Sequence, residues 1–389
     1  MAQTLKAKLG GLIPKLREER TAILKGHGAQ TISEVSIAQA FGGMRGVKGM
    51  ICDTSVVEPD KGLIIRGMPI LDIQDKLPEE IFWLLISGEL PSADELATFQ
   101  QELKAMGEVP KYIWKVLKAM PKTSHPMAML DTAILAMENE SMFRKRYNEG
   151  MAKTEYWEPA LEDAMKIIAT IHTIAAGVYR IKYKKGDLIE PSKKLDWGAD
   201  YAKMMGLPPR KGQNYEMMRL YLTLHTDHEG GNVSANTCHT VGSALSDPYY
   251  AVSAGLNGLA GPLHGLANQE CLNWILQTMD KFGGVPTEKE IEEALHSLLR
   301  DTVEKHLLSD VRVGAFLSGG IDSGTVTAMM AEITGERIPT FSVGVHEQSF
   351  NELPFARMVS GKYNLEAHER VVEANLIQMV PSMICLLYT

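Results

Sequence analysis

Four of the eleven histidines lie within residues 221–269, a stretch that is also dense in small side chains: His225, His228, His239 and His264. His225 and His228 are three residues apart and are predicted to share one helical face, where two imidazoles can hold zinc. No carboxylate or third histidine follows at the spacing of a zinc protease motif, and this disfavours a metal site.

His264 lies in Pro262-Leu-His-Gly265, after glycines at positions 255, 258 and 261. This glycine spacing favours close helix packing. Pro262 predicts a new helix, because proline suits the first helical turn. We therefore expect His264 near a helix N-terminus, where the dipole disfavours imidazolium. A neutral imidazole there can donate an N–H hydrogen bond to an oxygen that is becoming negative, as an enolising carbonyl requires.

A second chemical motif is Leu317-Ser-Gly-Gly-Ile-Asp-Ser323. It lacks the lysine of a Walker loop. It still has the parts of a phosphate cradle, because its glycines let backbone N–H groups approach closely and a helix follows at once. Asp322 could hold Mg²⁺ beside such phosphates. The alternative reading is a plain strand-to-helix turn that uses glycine for its geometry.

The elements that must position the histidines are predicted to be helices throughout residues 1–293. One exception is a hairpin, in which the β-branched runs Cys52–Val57 and Leu63–Ile65 flank a Pro-Asp-Lys-Gly turn. Apolar residues recur at intervals of three and four in residues 160–183, which predicts a core-facing helix. We interpret His172, within that helix, as a structural histidine.

The glycine loop lies in a different setting, residues 294–389. Residues 311–317 and 339–345 read as strands, 325–334 as a helix and 367–372 as a third strand. Strand, glycine loop, helix, strand is the pattern of a parallel βαβ unit. The predicted fold is therefore mainly α over 1–293, followed by a short and incomplete α/β segment over 294–389. A parallel sheet this short leaves apolar surface uncovered.

The amino-acid composition and net charge of the chain disfavour several classes of protein. The chain has 389 residues, 45% of them hydrophobic, and a net charge of −8. Bulk charge therefore repels nucleic acid and acidic membranes. No apolar run is long enough to span a bilayer. The four cysteines form no Cys-x-x-Cys pair, which disfavours a disulfide framework. Glu18 and Glu19 argue against a mitochondrial leader, so we expect a cytoplasmic protein with no nucleic acid or membrane partner.

Several long motifs, in order, resemble the citrate synthase family of the type found in mitochondria and some bacteria. They lie in the ranges Phe41–Lys48, Lys194–Trp197, Arg219–Leu222, Leu224–Ala235, Gly242–Pro248 and Asn257–Gln269. The resemblance covers residues 1 to about 293. It implies an almost wholly helical homodimer that condenses acetyl-CoA with oxaloacetate and water to citrate and CoA, a step of the tricarboxylic acid cycle, without a further cofactor.

The same resemblance implies roles for individual residues. His264 is the catalytic histidine that hydrogen-bonds the thioester oxygen as the enol forms, and His228 binds oxaloacetate. Arg45 and Lys153 correspond to basic contacts with CoA, and Leu263 belongs to the substrate and CoA site. An ordinary solvated lysine is the alternative for Lys153.

Other family features have no counterpart after residue 293. These are the Gly-aromatic-Gly-His segment with the second catalytic histidine, the aspartate that removes the methyl proton, and the arginines that bind the substrate carboxylates. A general acid or base contributes about 10²–10⁴-fold. We therefore expect turnover to be impaired.

Residues 294–389 resemble instead the ATP-pyrophosphatase domain of glutamine-dependent asparagine synthetase. The motifs lie in the ranges Leu299–Val311, Leu317–Ser323, Thr340–Gly344 and Asn351–Arg357. The resemblance implies ATP and Mg²⁺ as ligands. It assigns the phosphates to Ser318, Gly319, Gly320 and Ser323, the metal to Asp322, and the adenine pocket to Ser342 and Val343.

Three function classes therefore compete. The chain is an acyltransferase of the first family, an ATP-binding or adenylating protein of the second, or a non-catalytic chimera. The first is favoured because its motifs cover about three-quarters of the sequence.

Overall fold

Residues 3–44, 46–344 and 351–371 are described by the computed structural model. The chain divides into two units, residues 1–271 and 272–389. The described residues are mainly helical with two three-stranded sheets, one in each unit. This confirms the predicted fold class. The predicted family junction near residue 293 stays a prediction.

The first unit consists of thirteen helices and a small antiparallel sheet within the described residues, and helix α14 (Ala267–Phe282) continues into the second unit. The helices are α1 (Leu5–His27), α2 (Ile37–Phe41), α3 (Ile70–Ile73), α4 (Pro78–Ser87), α5 (Ala93–Met106), α6 (Lys111–Ala119), α7 (Pro126–Ala136), α8 (Met142–Asn148), α9 (Trp157–Lys182), α10 (Trp197–Met204), α11 (Gln213–Leu224), α12 (Val233–Ser243) and α13 (Pro248–Leu259). Short 3₁₀ helices cover Met137–Glu140, Lys153–Glu155 and Arg210–Gly212.

The predicted hairpin is confirmed. Strand β1 (Ser55–Glu58) pairs antiparallel with β2 (Gly62–Ile65), with Val56 opposite Ile64, and a two-residue strand β3 (Met68–Pro69) extends the sheet. Ile65 is fully buried and packs with Ile81 of α4. The hairpin is therefore anchored to the helical unit through its inner face.

Helix α9 is the central helix of the first unit, as its apolar spacing predicts. Its Ile174 packs in one apolar core with Ile113 of α6 and Tyr249 of α13. Its Met165 packs in a second core with Trp83 and Phe99 of α4 and α5. A helix buried against neighbours on several sides fixes their relative positions, since close-packed side chains leave little room for sliding.

Local signals set where several helices begin. Ser92 accepts a hydrogen bond from the Glu95 backbone N–H, and the Glu95 carboxylate accepts one from the Ser92 N–H, which starts α5 with a capping box. Proline occupies the first turn of α4, α7 and α13, where its missing N–H costs no helical hydrogen bond.

The second unit holds the predicted parallel sheet. Its described helices are α15 (Glu288–His306), α16 (Ile321–Thr334) and α17 (Leu353–Lys362), together with the part of α14 from residue 272. Strands β4 (Ala315–Phe316), β5 (Pro339–Gly344) and β6 (Glu366–Val371) pair in parallel in that order. The first strand is shorter than the predicted 311–317.

One face of this sheet packs against the helices, where Leu317, Met330 and Ile338 form a core with Val303 of α15. Along β5 the side chains alternate between the two faces. Phe341 lies on the outer face, 44% exposed, with its ring stacked on His368 at 5.1 Å between centroids. Apolar surface thus remains exposed in the described part of this unit.

His172 is buried in the middle of α9, as the structural reading predicts. It is 8% exposed, and its ring lies 4.8 Å from that of Trp197 between centroids. Burial lowers the pKa of the His172 imidazole to about 4, because a charged ring is poorly solvated there. The folded protein therefore holds this histidine neutral at pH 7.

This burial makes the stability of the protein depend on pH. Between pH 6.5 and 4 His172 becomes protonated in the unfolded chain but stays largely neutral in the folded chain. Acidification across this window therefore lowers the free energy of unfolding by on the order of 3 kcal/mol. Burial raises the pKa of Glu79, Asp163 and Asp200, and these carboxyls act in the opposite direction.

The contribution of His172 is therefore tested by comparing how the stability of different variants depends on pH. Urea unfolding, followed by tryptophan fluorescence from pH 7 to 4.5, should show that His172→Gln loses less stability on acidification than the unmodified chain. Replacing the exposed His239 of α12 by Gln is the matched control and should leave the pH profile unchanged. Identical pH profiles for all three proteins would contradict the assignment.

Candidate functional site

His228 lies in the loop between α11 and α12, and the hairpin of the first unit holds this loop. The backbone N–H of Glu229 donates to Ser55 Oγ at 2.7 Å, and the Glu229 carboxylate accepts from the Val57 N–H at 2.7 Å. Glu229 adopts a left-handed backbone with φ +56°. Two hydrogen bonds to β1 thus fix the turn, and the His228 side chain is exposed beside it.

Asn232 connects this loop to helix α12. Its side-chain oxygen accepts from the Ala235 N–H at 2.9 Å, which caps the helix, and from Ser234 Oγ at 2.6 Å. Its amide nitrogen donates to the carbonyl oxygens of His228, at 3.3 Å, and Glu229, at 3.2 Å. One side chain therefore sets both the helix start and the backbone that carries His228.

His264 reaches the same network from the other side. Its Nε2 lies 3.0 Å from Ser234 Oγ. The Asn232 oxygen can only accept, so Ser234 gives its single proton to Asn232 and accepts from His264 Nε2–H. A neutral His264 in this arrangement has an unprotonated Nδ1. The two predicted histidines are therefore linked through Asn232 and Ser234, although their side chains make no direct hydrogen bond.

Glycines allow α12 and α13 to approach closely enough for this link. A Cβ on Gly255 would lie 3.2 Å from Cys238 Cβ and from the Ser234 carbonyl oxygen. A Cβ on Gly258 would lie 3.1 Å from Ser234 Cα. The predicted close packing at these glycines is confirmed, and both glycines pack against the backbone of Ser234.

The predicted helix start at Pro262 is wrong. Residues 261–266 form a turn in which the Gly261 carbonyl accepts from the N–H groups of His264, at 3.0 Å, and Leu266, at 3.2 Å. Gly265 adopts φ +80°, which ends any right-handed helix there, and α14 begins only at Ala267. His264 thus precedes the helix, and the turn fixes its position.

Of the residues assigned to CoA, Leu263 lies in the same turn as His264, whereas Lys153 lies in a separate element. Lys153 lies exposed in the 3₁₀ helix Lys153–Glu155, and Leu263 is 99% exposed at the tip of the turn. Arg45 lies outside the described residues. Their roles stay predictions.

The pair His225 and His228 does not share a helical face, because α11 ends at Leu224. His225 Nδ1 lies 2.7 Å from the Tyr221 carbonyl oxygen, and its ring stacks on that tyrosine. In the described ranges no group of three His, Cys, Asp or Glu side chains is placed to hold a metal ion.

The glycine loop of the second unit forms a closed turn before α16. Ser318 Oγ and Ser323 Oγ are 2.9 Å apart, and Gly319 adopts φ +90°. A Cβ on Gly319 would lie 2.7 Å from the Glu352 carbonyl oxygen, so the loop packs tightly on the start of α17. Gly320 caps α16 without a side-chain hydrogen bond.

The remaining residues assigned to nucleotide lie around this loop. Asp322 is exposed in the first turn of α16. Ser342 is buried and donates to the Leu317 carbonyl oxygen at 2.7 Å, whereas Val343 is 61% exposed on the opposite face of β5. The two assigned adenine contacts thus point to different sides of the strand, and these roles stay predictions.

Sequence reasoning missed Asn232 and Ser234. Asn before a helical stretch is a common N-cap, and this pattern in Asn232-Val-Ser234 was the available signal. The arrangement leaves the His228 side chain exposed, and it can present His264 to a developing negative charge through Nδ1–H once the Ser234 hydroxyl donates to Nε2.

Comparison with known proteins finds two families along the chain. The family model for the citrate synthase C-terminal domain matches residues 43–307, and the one for asparagine synthase matches residues 294–388. The two matched ranges overlap within α15.

Curated relatives support the first match. The chain is 39% identical over 327 residues to mitochondrial citrate synthase of Saccharomyces cerevisiae, covering 82% of this chain and 65% of that protein. It is 43% identical over 307 residues to mitochondrial 2-methylcitrate synthase of Yarrowia lipolytica, covering 76% of this chain and 66% of that protein. The chain thus spans about two thirds of the length of these relatives.

Solved structures support the fold. The citrate synthase of Pyrobaculum aerophilum matches with a TM-score of 0.59 and 24% identity, covering 79% of this chain and 75% of that one. The enzyme of Thermotoga maritima matches with a TM-score of 0.53 and 23% identity, covering 69% and 66%.

The prediction of a cytoplasmic protein is wrong, because these curated relatives are mitochondrial by name. Glu18 and Glu19, on which that prediction was based, lie in α1. That helix packs into the core through Leu5 and Leu9, and the charge of a packed helix does not report on the compartment. No helix among the described residues is long and apolar enough to cross a membrane.

The turn before α14 can be tested through Gly265. A Cβ there would lie 1.8 Å from the Leu259 carbonyl oxygen. We expect Gly265→Ala to cost more than the roughly 1–2 kcal/mol that a left-handed conformation alone imposes, and to shift the NMR signals of the His264 imidazole. Urea unfolding measures the first effect.

Gly283→Ala is the matched control, because Gly283 also has a positive φ of +70° but open space around it. If the two variants lose the same stability and the His264 signals stay in place, the close contact at Leu259 does not constrain the turn.

Proposed function

The chain belongs to the citrate synthase family, and on that premise we propose that its first unit binds oxaloacetate and an acyl-CoA thioester at a site centred on His228 and His264. The supporting observation is the hydrogen-bonded path from the His228 backbone through Asn232 and Ser234 to His264. It joins the loop that carries His228 to the turn that carries His264, which are separated in the sequence by helices α12 and α13.

In the proposed reaction a base removes a proton from the thioester methyl group. The resulting enol carbon attacks the ketone carbon of oxaloacetate, and water then releases CoA and citrate. His264 donates a hydrogen bond from Nδ1–H to the thioester oxygen while that oxygen gains charge, which requires the Ser234 hydroxyl to donate to Nε2 in place of Asn232. No cofactor is proposed for this chemistry, since the bond changes are proton transfers and carbon–carbon addition.

Ser234 sets which nitrogen of His264 can donate. With its hydroxyl proton on Asn232, it leaves the proton of a neutral His264 on Nε2. Turning that O–H from Asn232 to Nε2 would place the imidazole proton on Nδ1 instead. Rotation of one hydroxyl therefore selects the donor, while the Asn232 oxygen keeps the Ala235 N–H as partner.

We propose further that turnover is strongly impaired. The sequence after residue 293 matches asparagine synthase and carries none of the family's second histidine, aspartate or carboxylate-binding arginine segments. His264 can polarise a thioester, but the aspartate that serves as base in the family has no counterpart in the sequence after residue 293. Enolisation needs both groups at once.

A homodimer is also proposed, formed through the part of helix α14 that belongs to the second unit. Helix α14 carries Leu272, Ile275 and Leu276 at intervals of three and four, and each is at least 41% exposed. An apolar stripe on a helix with no buried residue is suited to a second copy of itself, as in isologous interfaces. Light scattering on the purified chain measures its mass.

The primary test is release of CoA thiol by the full chain, with acetyl-CoA or propionyl-CoA and oxaloacetate, beside an intact citrate synthase. We expect a rate at least about 10⁴-fold below that of the intact enzyme, because at least two acid–base groups are missing. Both acyl thioesters are used because the relatives include 2-methylcitrate synthases.

Any residual rate should fall in His264→Ala and persist in His239→Ala, an exposed histidine of the same unit. A rate within about a hundredfold of the intact enzyme that is lost in His264→Ala would overturn the proposed impairment. A residual rate unaffected by His264→Ala would overturn the proposed site.

A second candidate function concerns the glycine loop of the other unit. We propose that Ser318–Ser323 binds the phosphates of ATP, with Ser318, Gly319, Gly320 and Ser323 around them. The first N–H groups of α16 have no side-chain cap, so an anion there would satisfy them. Asp322 would hold Mg²⁺ through the phosphates, since one carboxylate alone makes a weak site.

Pyrophosphate with Mg²⁺ is the simplest probe of this loop. We expect it to raise the melting temperature of the full chain, and Ser323→Ala to reduce that increase, because the Ser318–Ser323 contact closes the turn. Thr334→Ala, at the far end of α16, is the matched control. No stabilisation, or an equal effect in both variants, would contradict phosphate binding at this loop.

A further inference from the structure

A cavity of about 770 Å³ lies in the first unit, among α5, α6, α9, α10 and the loop before α10. None of its lining residues belongs to the His228–His264 site. Most of its wall is apolar, and it includes Leu103, Val109, Trp114, Ala176, Leu188 and Trp197. A cavity of this size and lining is suited to a small organic molecule.

The wall at Trp114 depends on a glycine of α9. A Cβ on Gly177 would lie 2.3 Å from the Trp114 ring, so only glycine lets the indole lie this close to the helix. Trp197 forms part of the wall from α10, where its Nε1–H donates to the Ile168 carbonyl oxygen at 2.9 Å. Two fixed indole rings thus line the same cavity.

Two carboxyl groups of the lining are buried without a basic partner. Asp200 is 5% exposed. One of its oxygens accepts from the Ser192 N–H at 2.8 Å, and the other lies 4.0 Å from His172 Nε2, beyond hydrogen-bond distance. Within the described chain no lysine or arginine forms an ion pair with it. The neighbouring imidazole is neutral, so it supplies no charge.

Glu79 is the second carboxyl and is 4% exposed. Its Oε1 accepts from the Trp197 N–H at 2.8 Å and from Gln100 Nε2 at 3.1 Å. Its Oε2 has no hydrogen-bond partner among the described residues. A buried acceptor without a donor is costly, and a ligand donor would remove that cost.

Among the other charges of the lining, Arg180 is half-buried, and its guanidinium donates to the carbonyl oxygens of Asp187 and Lys185. Lys104, Lys111 and Lys193 are exposed, as are Glu108 and Glu190. Exposed charges are screened by water and salt, whereas the buried carboxyls are screened much less. The buried part of the cavity therefore offers two carboxyl acceptors, whereas its lysines lie at the rim.

We propose that this cavity binds a hydrophobic organic amine, with its ammonium group at Asp200 and its apolar body against Trp114 and Trp197. The ammonium donates to the Asp200 oxygen that lacks a donor, and a second N–H can serve the unsatisfied Glu79. Indole faces attract cations as well as apolar groups. This inference is independent of the condensation site, which shares none of its residues.

The test compares three probes of one shape that differ in charge: 2-phenylethylamine, 2-phenylethanol and 3-phenylpropionate. Calorimetric titration of the full chain at pH 7 should show the amine binding at least about tenfold more tightly than the alcohol, as expected for a charge-assisted hydrogen bond. The acid should bind more weakly still.

Two variants locate the site. Asp200→Asn keeps an acceptor for the Ser192 N–H and should weaken the amine by about tenfold or more, with little change for the alcohol. Ala176→Phe fills the cavity without altering its charge and should abolish binding of the amine. Circular dichroism confirms that each variant is folded.

Several results would overturn the proposal. These are equal affinity for the amine and the alcohol, an unchanged amine affinity in folded Asp200→Asn, tightest binding of the acid through the lysines of the rim, or no binding of any probe.

Discussion

Helices α12 and α13 lie closer together than ordinary side chains allow, and the first unit's candidate site depends on that contact. At Gly255 and Gly258 the backbone of α13 rests almost on Ser234. Ser234 in this position hydrogen-bonds both Asn232, at the start of its own helix, and His264, in the turn after α13. The geometry of the site thus depends on Gly255 and Gly258, which lack a Cβ, as well as on the polar groups of the site.

The second unit is organised by a different constraint, the pairing of parallel strands. Each strand of β4–β5–β6 is followed or preceded by a helix on the packed face, and the glycine loop lies where β4 gives way to α16. Helix α15 contains the overlap of the two family matches. A helix is a permissive place for two sequences to meet, since its backbone hydrogen bonds are local and do not require a partner strand.

Most of the helices and strands could be predicted from the sequence, because their formation depends on residues that are close together in the chain. The period of α9, the hairpin turn and the strand–loop–helix order all follow from neighbouring residues. The turn at 261–266 was not predictable in the same way. Pro262 favours a helix by itself, and the left-handed Gly265 overrides it. The link from Asn232 through Ser234 to His264 is tertiary, and Arg45 lies outside the described residues, so its assigned role rests on resemblance alone.

The glycine contacts also determine which amino-acid substitutions the protein tolerates at these positions. Every missense codon at positions 255, 258 and 265 adds at least one carbon, and even the smallest addition meets backbone at 3.2, 3.1 and 1.8 Å respectively. In a random mutant library codon 265 should be depleted of substitutions of every chemical type, and codons 255 and 258 should be depleted less strongly, because the helices need to shift by only a few tenths of an ångström there. Exposed positions such as His239 should accept many. Mutational intolerance at these glycines would therefore report backbone geometry and not side-chain chemistry.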